Sequence, residues 1–223
     1  MIVGIVLAAG SSTRLGRPKQ LLPLQGEPLL RETLRRVLAS SLDEVIVVLG
    51  NYADEIRTAI ADLPVGIVVN PNAAKGQSTS VVAGLEALSQ DAGNQSNRKG
   101  EAALALQPRD VVEAVVFVLG DQPGVEPGTV DALITRWRVS KAPVVAPRYL
   151  DGIGNPVLFD RSLFPELGAL QGDTGARPIL LAHRAAGDLA LVPIDQPRPP
   201  DVDTEEDYAA LVASFEAGRG SCR

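Results

Sequence analysis

The chain has 223 residues, 45% of them hydrophobic, with a formal net charge of −6 and a pI near 4.9. That is enough apolar material for one substantial α/β core or two small ones, and the acidic balance argues against nucleic acid as a partner, since no broad basic face can be expected. The single cysteine, Cys222, excludes an intrachain disulfide, and the first apolar run is too short for a signal or membrane span, so a cytoplasmic protein with no membrane partner is expected.

Residues 2–7, Ile-Val-Gly-Ile-Val-Leu, form an apolar, β-branched run of strand length. It breaks into Ala8-Ala9-Gly10-Ser11-Ser12 and then a basic segment with Arg14, Arg17 and Lys19. Such a run suits a buried strand feeding a loop at its carboxyl end, the edge where open α/β sheets bind ligands. Small residues let backbone N–H groups approach phosphate oxygens, while Arg14 and Lys19 add a planar fork and a mobile point charge. The stretch reads as a triphosphate cradle. Two commoner phosphate loops are excluded. Ala8 stands where the dinucleotide fingerprint needs glycine, and five residues rather than four separate Gly10 from Gly16. On the glycine count alone, an ordinary turn with a basic surface loop explains the pattern equally well.

Residues 21–28 read as a turn-rich connector, and 29–38 as a helix with apolar positions 29, 30, 34, 37 and 38 on one face. Strands are predicted at 44–49 and 65–69 with a short helix at 52–62 between them, a rhythm that implies parallel pairing through right-handed crossovers. The segment 70–80 leaves the third strand and enters a helix over about 79–89. Its position makes Lys75, Gly76, Ser78 and Ser80 candidates for touching a base or ribose, although helix capping by a serine is the better explanation from the residues alone. Residues 89–110 are polar and lack apolar periodicity until Ala102, so they are expected to be a disordered insertion or a lid, with a helical turn at 101–106.

Residues 113–119 predict the fourth and central strand, which delivers Gly120-Asp121-Gln122-Pro123. A carboxylate at the end of a buried strand, on the same edge as the cradle, is well placed to hold Mg²⁺; Gly-Asp and Pro are also common turn formers, and the two readings stand level. A helix at 127–138, with Trp137 as a packing residue, precedes strands at 143–147 and 156–159 flanking a glycine-rich turn, 151–155. In the segment 171–178, Asp173 or Thr174 can cap the following helix, Pro178 suits its first turn, and Arg177 near its start can grip an anion. His183, the only histidine, has no Cys or His partners to make a zinc site. A strand at 189–193 leads to the carboxylate-rich stretch 197–208, where Thr204 and Asp207 form an N-cap pattern ahead of a final helix. Residues 218–223 read as a frayed tail.

Leu7-Ala-Ala-Gly-Ser-Ser-x-Arg-Leu-Gly-x-Pro-Lys-Gln20 resembles the signature of the MobA-like nucleotidyltransferases, in particular their molybdenum cofactor cytidylyltransferase branch. Gly76-x-Ser78-x-Ser80, Gly120-Asp-Gln-Pro, Gly154-Asn-Pro-Val-Leu-Phe, Gly172-Asp-Thr-Gly-Ala-Arg177 and Asp201-Val-Asp-Thr continue the likeness in order along nearly the whole chain, residues 89–110 excepted. The resemblance implies a Rossmann-like three-layer α/β/α fold with a mainly parallel sheet, in a single domain over 1–217. It implies transfer of a nucleoside monophosphate, CMP from CTP, onto the phosphate of molybdopterin or molybdenum cofactor, with release of pyrophosphate. Ala8-Ala9-Gly10, in place of the Ala-Gly-Gly of the guanylyl branch, favours cytidine.

On that resemblance the nucleotide is held by Leu7, Ala8, Ala9, Gly10, Ser11, Ser12, Arg14, Lys19 and Asp121, and its base is read by Gly76, Ser78 and Ser80. Arg14, Lys19 and Asp121 carry the catalytic roles. Mg²⁺ is bound by Asp121 and Asp203, with Asp201 as the rival. The acceptor is met by Gln122, Gly154, Asn155, Asp173, Gly175 and Arg177. Asn155 replaces the family's usual histidine and cannot take up a proton near neutral pH, so no acid–base role passes to it. The implied partners are CTP or another NTP, a phosphorylated pterin and the molybdoenzyme that receives the product. The alternatives are a related transferase acting on a sugar phosphate or phospholactate, and a non-catalytic molybdenum cofactor chaperone.

Overall fold

The computed structural model describes residues 1–12, 14–90 and 111–220. The stretch 91–110 and residues 221–223, with Cys222, lie outside the described residues, and so does most of the predicted insertion with its turn at 101–106. The chain order is β1 (Ile2–Ala8), β2 (Pro23–Leu24), β3 (Glu27–Pro28), α1 (Leu29–Leu38), β4 (Glu44–Leu49), α2 (Ala53–Ala59), β5 (Gly66–Val69) and α3 (Gln77–Gln90). It continues with β6 (Ala114–Leu119), α4 (Pro127–Ser140), β7 (Val144–Tyr149), β8 (Gly152–Ile153), β9 (Val157–Asp160), α5 (Phe164–Gly168), α6 (Arg177–Ala186), β10 (Leu189–Pro193) and α7 (Glu205–Gly220).

One sheet has the order β10-β7-β9-β6-β1-β4-β5, with β8 paired to β7 off this path. β1 pairs in parallel with β4 and β6, β4 with β5, and β7 with β10. β9 is antiparallel to both its neighbours, β6 and β7. The seven residues between β7 and β9 are too few for the crossover that parallel neighbours need, so the chain turns back through β8. The fold is therefore the expected Rossmann-like α/β/α arrangement with a mainly parallel sheet.

Nearly every residue of β1, β4 and β6 is buried because helices cover both faces, and for that reason these strands read as continuous apolar runs. Alternation along β1 sends Ile2, Val6 and Ala8 into a cluster with Leu30 and Leu34 of α1, Ile56 of α2 and Leu133 and Trp137 of α4. Val3 and Ile5 go to the opposite cluster with Val81 of α3, Leu167 of α5 and Ile179 of α6. A third, smaller cluster joins Leu15, Leu22, Leu24 and Leu29 to Val202 and Leu211, and fastens α7 against the connector after β1. Trp137 packs as expected, its indole N–H donating to Asp160 Oδ2 at 3.0 Å.

Three sequence-based boundaries are corrected. Residues 21–28 hold the two-residue strands β2 and β3 rather than a bare connector. α3 runs through Gln90, two residues into the predicted insertion, and α7 runs to Gly220, three residues into the predicted tail. Neither glycine at 218 nor polar composition at 89 stops a helix by itself, because propensity is a weak term beside packing. Among the described residues, no helix is long and apolar enough to cross a membrane.

Candidate active site

Because β1, β4, β5, β6, β7 and β10 run parallel, their carboxyl ends share one edge. From β1 the chain goes outward to β4 and β5, then returns to β6 on the other side of β1. The topological switch thus lies between β1 and β6, where a crevice opens in folds of this kind. Leu7 and Leu119 are in register there, so the Ala8-Ala9-Gly10 loop and Gly120-Asp121 emerge side by side. Gly120 is required by that closeness: a Cβ on it would stand 2.9 Å from the Ala8 Cβ.

The cradle's backbone is held from behind. The buried Gln20 donates from Nε2 to Ala8 O at 2.8 Å and Gly10 O at 3.1 Å. The carbonyls are therefore turned inward at Ala8 and Gly10, on a loop whose Gly10 and Ser11 are exposed. Ser12 adopts a left-handed backbone (φ 51°), accepts from Leu15 N and Gly16 N through its carbonyl, and accepts from Lys19 N through Oγ at 3.0 Å. These bonds fold the basic segment back over the loop. Sequence reading gave Gln20 no role. Its signal is faint, a lone amide between a charged residue and an apolar pair.

Lys19 is the centre of the charge arrangement. Its ammonium donates to Asp121 Oδ2 and, at 2.8 Å, to Asp203 Oδ1. Burial disfavours that ammonium, but Asp121 and Asp203 more than compensate and hold the Lys19 pKa above its ordinary value. Arg14 lies 3.6 Å from Asp203, and Arg17 makes two bonds of 2.9 and 3.0 Å to Glu205. Asp201 stands beside them and accepts from Gln122 Nε2 at 2.7 Å. Loss of water and the neighbouring Asp121 push the Asp201 carboxyl above the usual carboxylate range. At the start of α7, Thr204 and Asp207 form the reciprocal cap expected of them: Asp207 Oδ2 accepts from Thr204 N at 2.8 Å, and Thr204 Oγ1 accepts from Asp207 N at 3.1 Å.

The predicted second loop is built differently. Ser78 and Ser80 are buried and bonded inward: Ser78 Oγ donates to Gln171 O at 3.1 Å, and Ser80 Oγ accepts from Asn70 Nδ2 at 3.0 Å. Their hydroxyls brace the loops at 70–72 and 171–173. Asp173 does not cap α6, whose N-cap is Ala176 with no side-chain bond. It caps α3, accepting from Gln77 N at 2.9 Å, and Ser78 N donates to Gly172 O at 3.3 Å. The reason is proximity across the chain: Gly76 (φ 119°) lies so close that a Cβ would sit 2.4 Å from Gly172 O. Gly175 lies in this same junction, against the Gln77 side chain, whereas Lys75 and Arg177 are exposed. Asp173→Ala is expected to cost about 1 kcal/mol, the usual value of a helix cap. Urea unfolding checks it, and an unchanged midpoint contradicts the assignment.

At the far side of the crevice, Gly154 packs under the Arg198 side chain, and Arg198 Nε donates to Asp151 Oδ2 at 2.9 Å. Tyr149 donates its hydroxyl to Asn155 O at 2.7 Å. Burial pushes the Tyr149 phenol up to about 12, above about 10 for an exposed tyrosine. Because the folded value is the higher one, this contribution is whole below pH 10 and is lost as pH rises towards 12. Tyr149→Phe is expected to cost about 1 kcal/mol at neutral pH and to flatten the stability profile between pH 10 and 12. Unfolding at pH 8 and 11 measures both. His183 is remote from this edge and bonds Asp188 at 2.8 Å near the end of α6.

Residues 4–187 match the MobA-like NTP transferase domain. The chain belongs to that family. It is 28% identical over 214 residues to the purine catabolism protein PucB of Bacillus subtilis, covering 93% of this chain and 94% of the relative. It is 30% identical over 218 residues to nicotine blue oxidoreductase of Paenarthrobacter nicotinovorans, covering 95% and 96%. The crystal structure of the Mycobacterium tuberculosis rv0371c homolog from Mycobacterium sp. strain JC1 superposes with a TM-score of 0.79 at 35% identity, covering 97% of both chains. A nucleoside triphosphate substrate and nucleotidyl transfer follow from the family at this coarse level.

Proposed function

We propose that the protein moves CMP from CTP onto the phosphate of molybdopterin or molybdenum cofactor, releasing pyrophosphate. The observation that carries the reading is the meeting, at the β1/β6 switch point, of a small-residue loop braced by Gln20 with the Lys19, Asp121 and Asp203 charge group. Phosphoryl chemistry asks little covalent work of side chains; alignment and charge neutralisation supply most of the rate. An acceptor phosphate oxygen attacks the α-phosphorus, the bond from that phosphorus to the bridging oxygen breaks, and pyrophosphate leaves with the electron pair. The acceptor is already anionic, so no general base is needed, in keeping with asparagine at 155.

The N–H groups of residues 8–12 and the cations of Arg14 and Lys19 serve the triphosphate. The resemblance assigns Gln122, Gly154 and Asn155 to the acceptor, with Gln122 itself buried against Asp201. Asp121 and Asp203 fit Mg²⁺: two carboxylates already converge on one cation, and this ion binds through one or two carboxylates plus phosphate oxygens and water. When bound, it would supply charge neutralisation at the phosphates. The acceptor assignment rests on the branch-level likeness of the cradle. The molybdoenzyme that takes the product is the proposed downstream partner.

The likeness to nicotine blue oxidoreductase supports a second reading, hydride transfer at the same edge. Ala8, standing where the dinucleotide fingerprint needs glycine, weighs against it. Pyrophosphate release from each of the four NTPs, with Mg²⁺ and with or without molybdopterin, tests the proposal, with NAD(P)H oxidation followed in parallel. Acceptor-dependent release from CTP is the expected result. Release with another NTP moves the protein to another branch, and hydride transfer without release replaces the proposal.

A further inference from the structure

The cations of the 14–19 segment are already paired with carboxylates from the turn after β6 and from the entry to α7: Lys19 with Asp121 and Asp203, Arg14 with Asp203, and Arg17 with Glu205. The Lys19 and Asp121 side chains are only 13% and 16% exposed, so their pairing is not a screened surface contact. We propose that Lys19 is a place-holding cation at the divalent-ion position, so that ion and triphosphate enter by exchanging partners with an ion pair that already exists. This deepens the transferase reading and rests on Asp121 and Asp203 being the ion's ligands.

The argument is one of charge balance in a half-buried place. An ion arriving alone must drive the Lys19 ammonium off both carboxylates, with no phosphate present to receive it. A triphosphate arriving alone must draw Lys19 away, leaving Asp121 without a counter-charge and Asp203 with only the longer Arg14 contact. Arriving together, the ion takes the carboxylates and the phosphates take Lys19 and Arg14, so each removes the cost of binding the other. Among the described residues, no group of three or more His, Cys, Asp or Glu side chains is gathered so as to hold a metal alone. Two carboxylates are the site's share, and phosphate and water must complete the shell. The result is a linkage in which ion and nucleotide tighten one another, by a factor in the usual range of about 5 to 150. A lysine is suited to this because its compact charge sits on a flexible stem that can swing between two anionic partners.

The test uses Mn²⁺ alone, without nucleotide or acceptor, on the full chain. Free Mn²⁺ is titrated by electron paramagnetic resonance against the wild type, Lys19→Met, Lys19→Gln and Lys19→Arg, each first shown to be folded by its thermal transition. Both neutral variants are expected to bind Mn²⁺ about tenfold more tightly than the wild type, while Lys19→Arg, which keeps the competing charge, stays near it. Equal or weaker Mn²⁺ binding by both neutral variants overturns the proposal. Adding Asp121→Asn to Lys19→Met should abolish the gain; a gain that survives puts the ion elsewhere and also overturns it. Since no substrate is present, a wrong assignment of the transferred group leaves this result intact. Unchanged Mn²⁺ binding by the neutral variants, beside acceptor-dependent pyrophosphate release by the wild type, removes the place-holder and spares the transferase.

Discussion

Asp121→Ala should lower turnover by about a thousandfold or more while leaving a folded protein. Asp121 follows the central strand β6, one residue beyond Gly120, and its carboxylate is two-sided in function: it holds Lys19 now and is proposed to hold the ion in the reaction. Losing one charge-stabilising donor typically costs 10²–10³ in rate, about 3–4 kcal/mol, and losing an ion ligand costs at least as much. The structural penalty is smaller. Removing one partner of a buried pair leaves a charge uncompensated, but Asp203 remains on Lys19, so about 1–2 kcal/mol is expected. For a chain of this size that is a fall in Tm of about 2–8 °C. Asp121→Asn, which keeps the shape, should lose the activity with less of the stability. Unchanged turnover in either variant refutes the role.

Gln20→Leu should damage both stability and nucleotide use, although Gln20 need touch no ligand. Its amide is the donor to Ala8 O and Gly10 O, and leucine has nearly its volume but no N–H. A buried acceptor left without a donor costs about 1–3 kcal/mol, and water can reach Gly10 more readily than Ala8. About 2–3 kcal/mol of stability is therefore expected to go. The cradle loop, released from behind, should lose about a hundredfold in kcat/KM for the nucleotide, since displacements of about 1 Å cost that much in an aligned reaction. Most of the loss should fall on KM if the loop binds triphosphate. Gln20→Glu should be as poor, because an ionised carboxylate cannot donate to two carbonyls. Wild-type Tm and KM in Gln20→Leu would show that the brace is dispensable.

How much of this was legible in the sequence depends on the range of the interaction. The strands 44–49 and 189–193 and the helix 29–38 coincide with β4, β10 and α1, because continuous apolar runs and a 3.6-residue face record burial directly. The central place of β6 and the edge carrying Asp121 follow from strand–helix rhythm. The antiparallel direction of β9 does not, since an apolar run looks alike in either sense. In the site, the juxtaposition of Lys19, Asp121 and Asp203 was expected, but not that the lysine sits between the two acids. Charge signs give the members of a cluster and not its pairing. Short-range capping rules offer Asp173 or Thr174 to the following helix, yet Asp173 serves α3, 96 residues away in sequence. Ser78 and Ser80, which the resemblance places at the base, bond Gln171 and Asn70 through their hydroxyls. Both differences arise from contacts between distant segments, which short-range capping rules do not see.

The most direct test of the central claim is to follow the α-phosphate itself. CTP labelled with ³²P at the α-position is incubated with the protein, Mg²⁺ and molybdopterin, and the label is located after separation. The account predicts label in the pterin product, with one pyrophosphate formed for each label transferred and none of either with Asp121→Ala. Label that stays in CTP, or appears as free CMP whether or not the pterin is present, would contradict it.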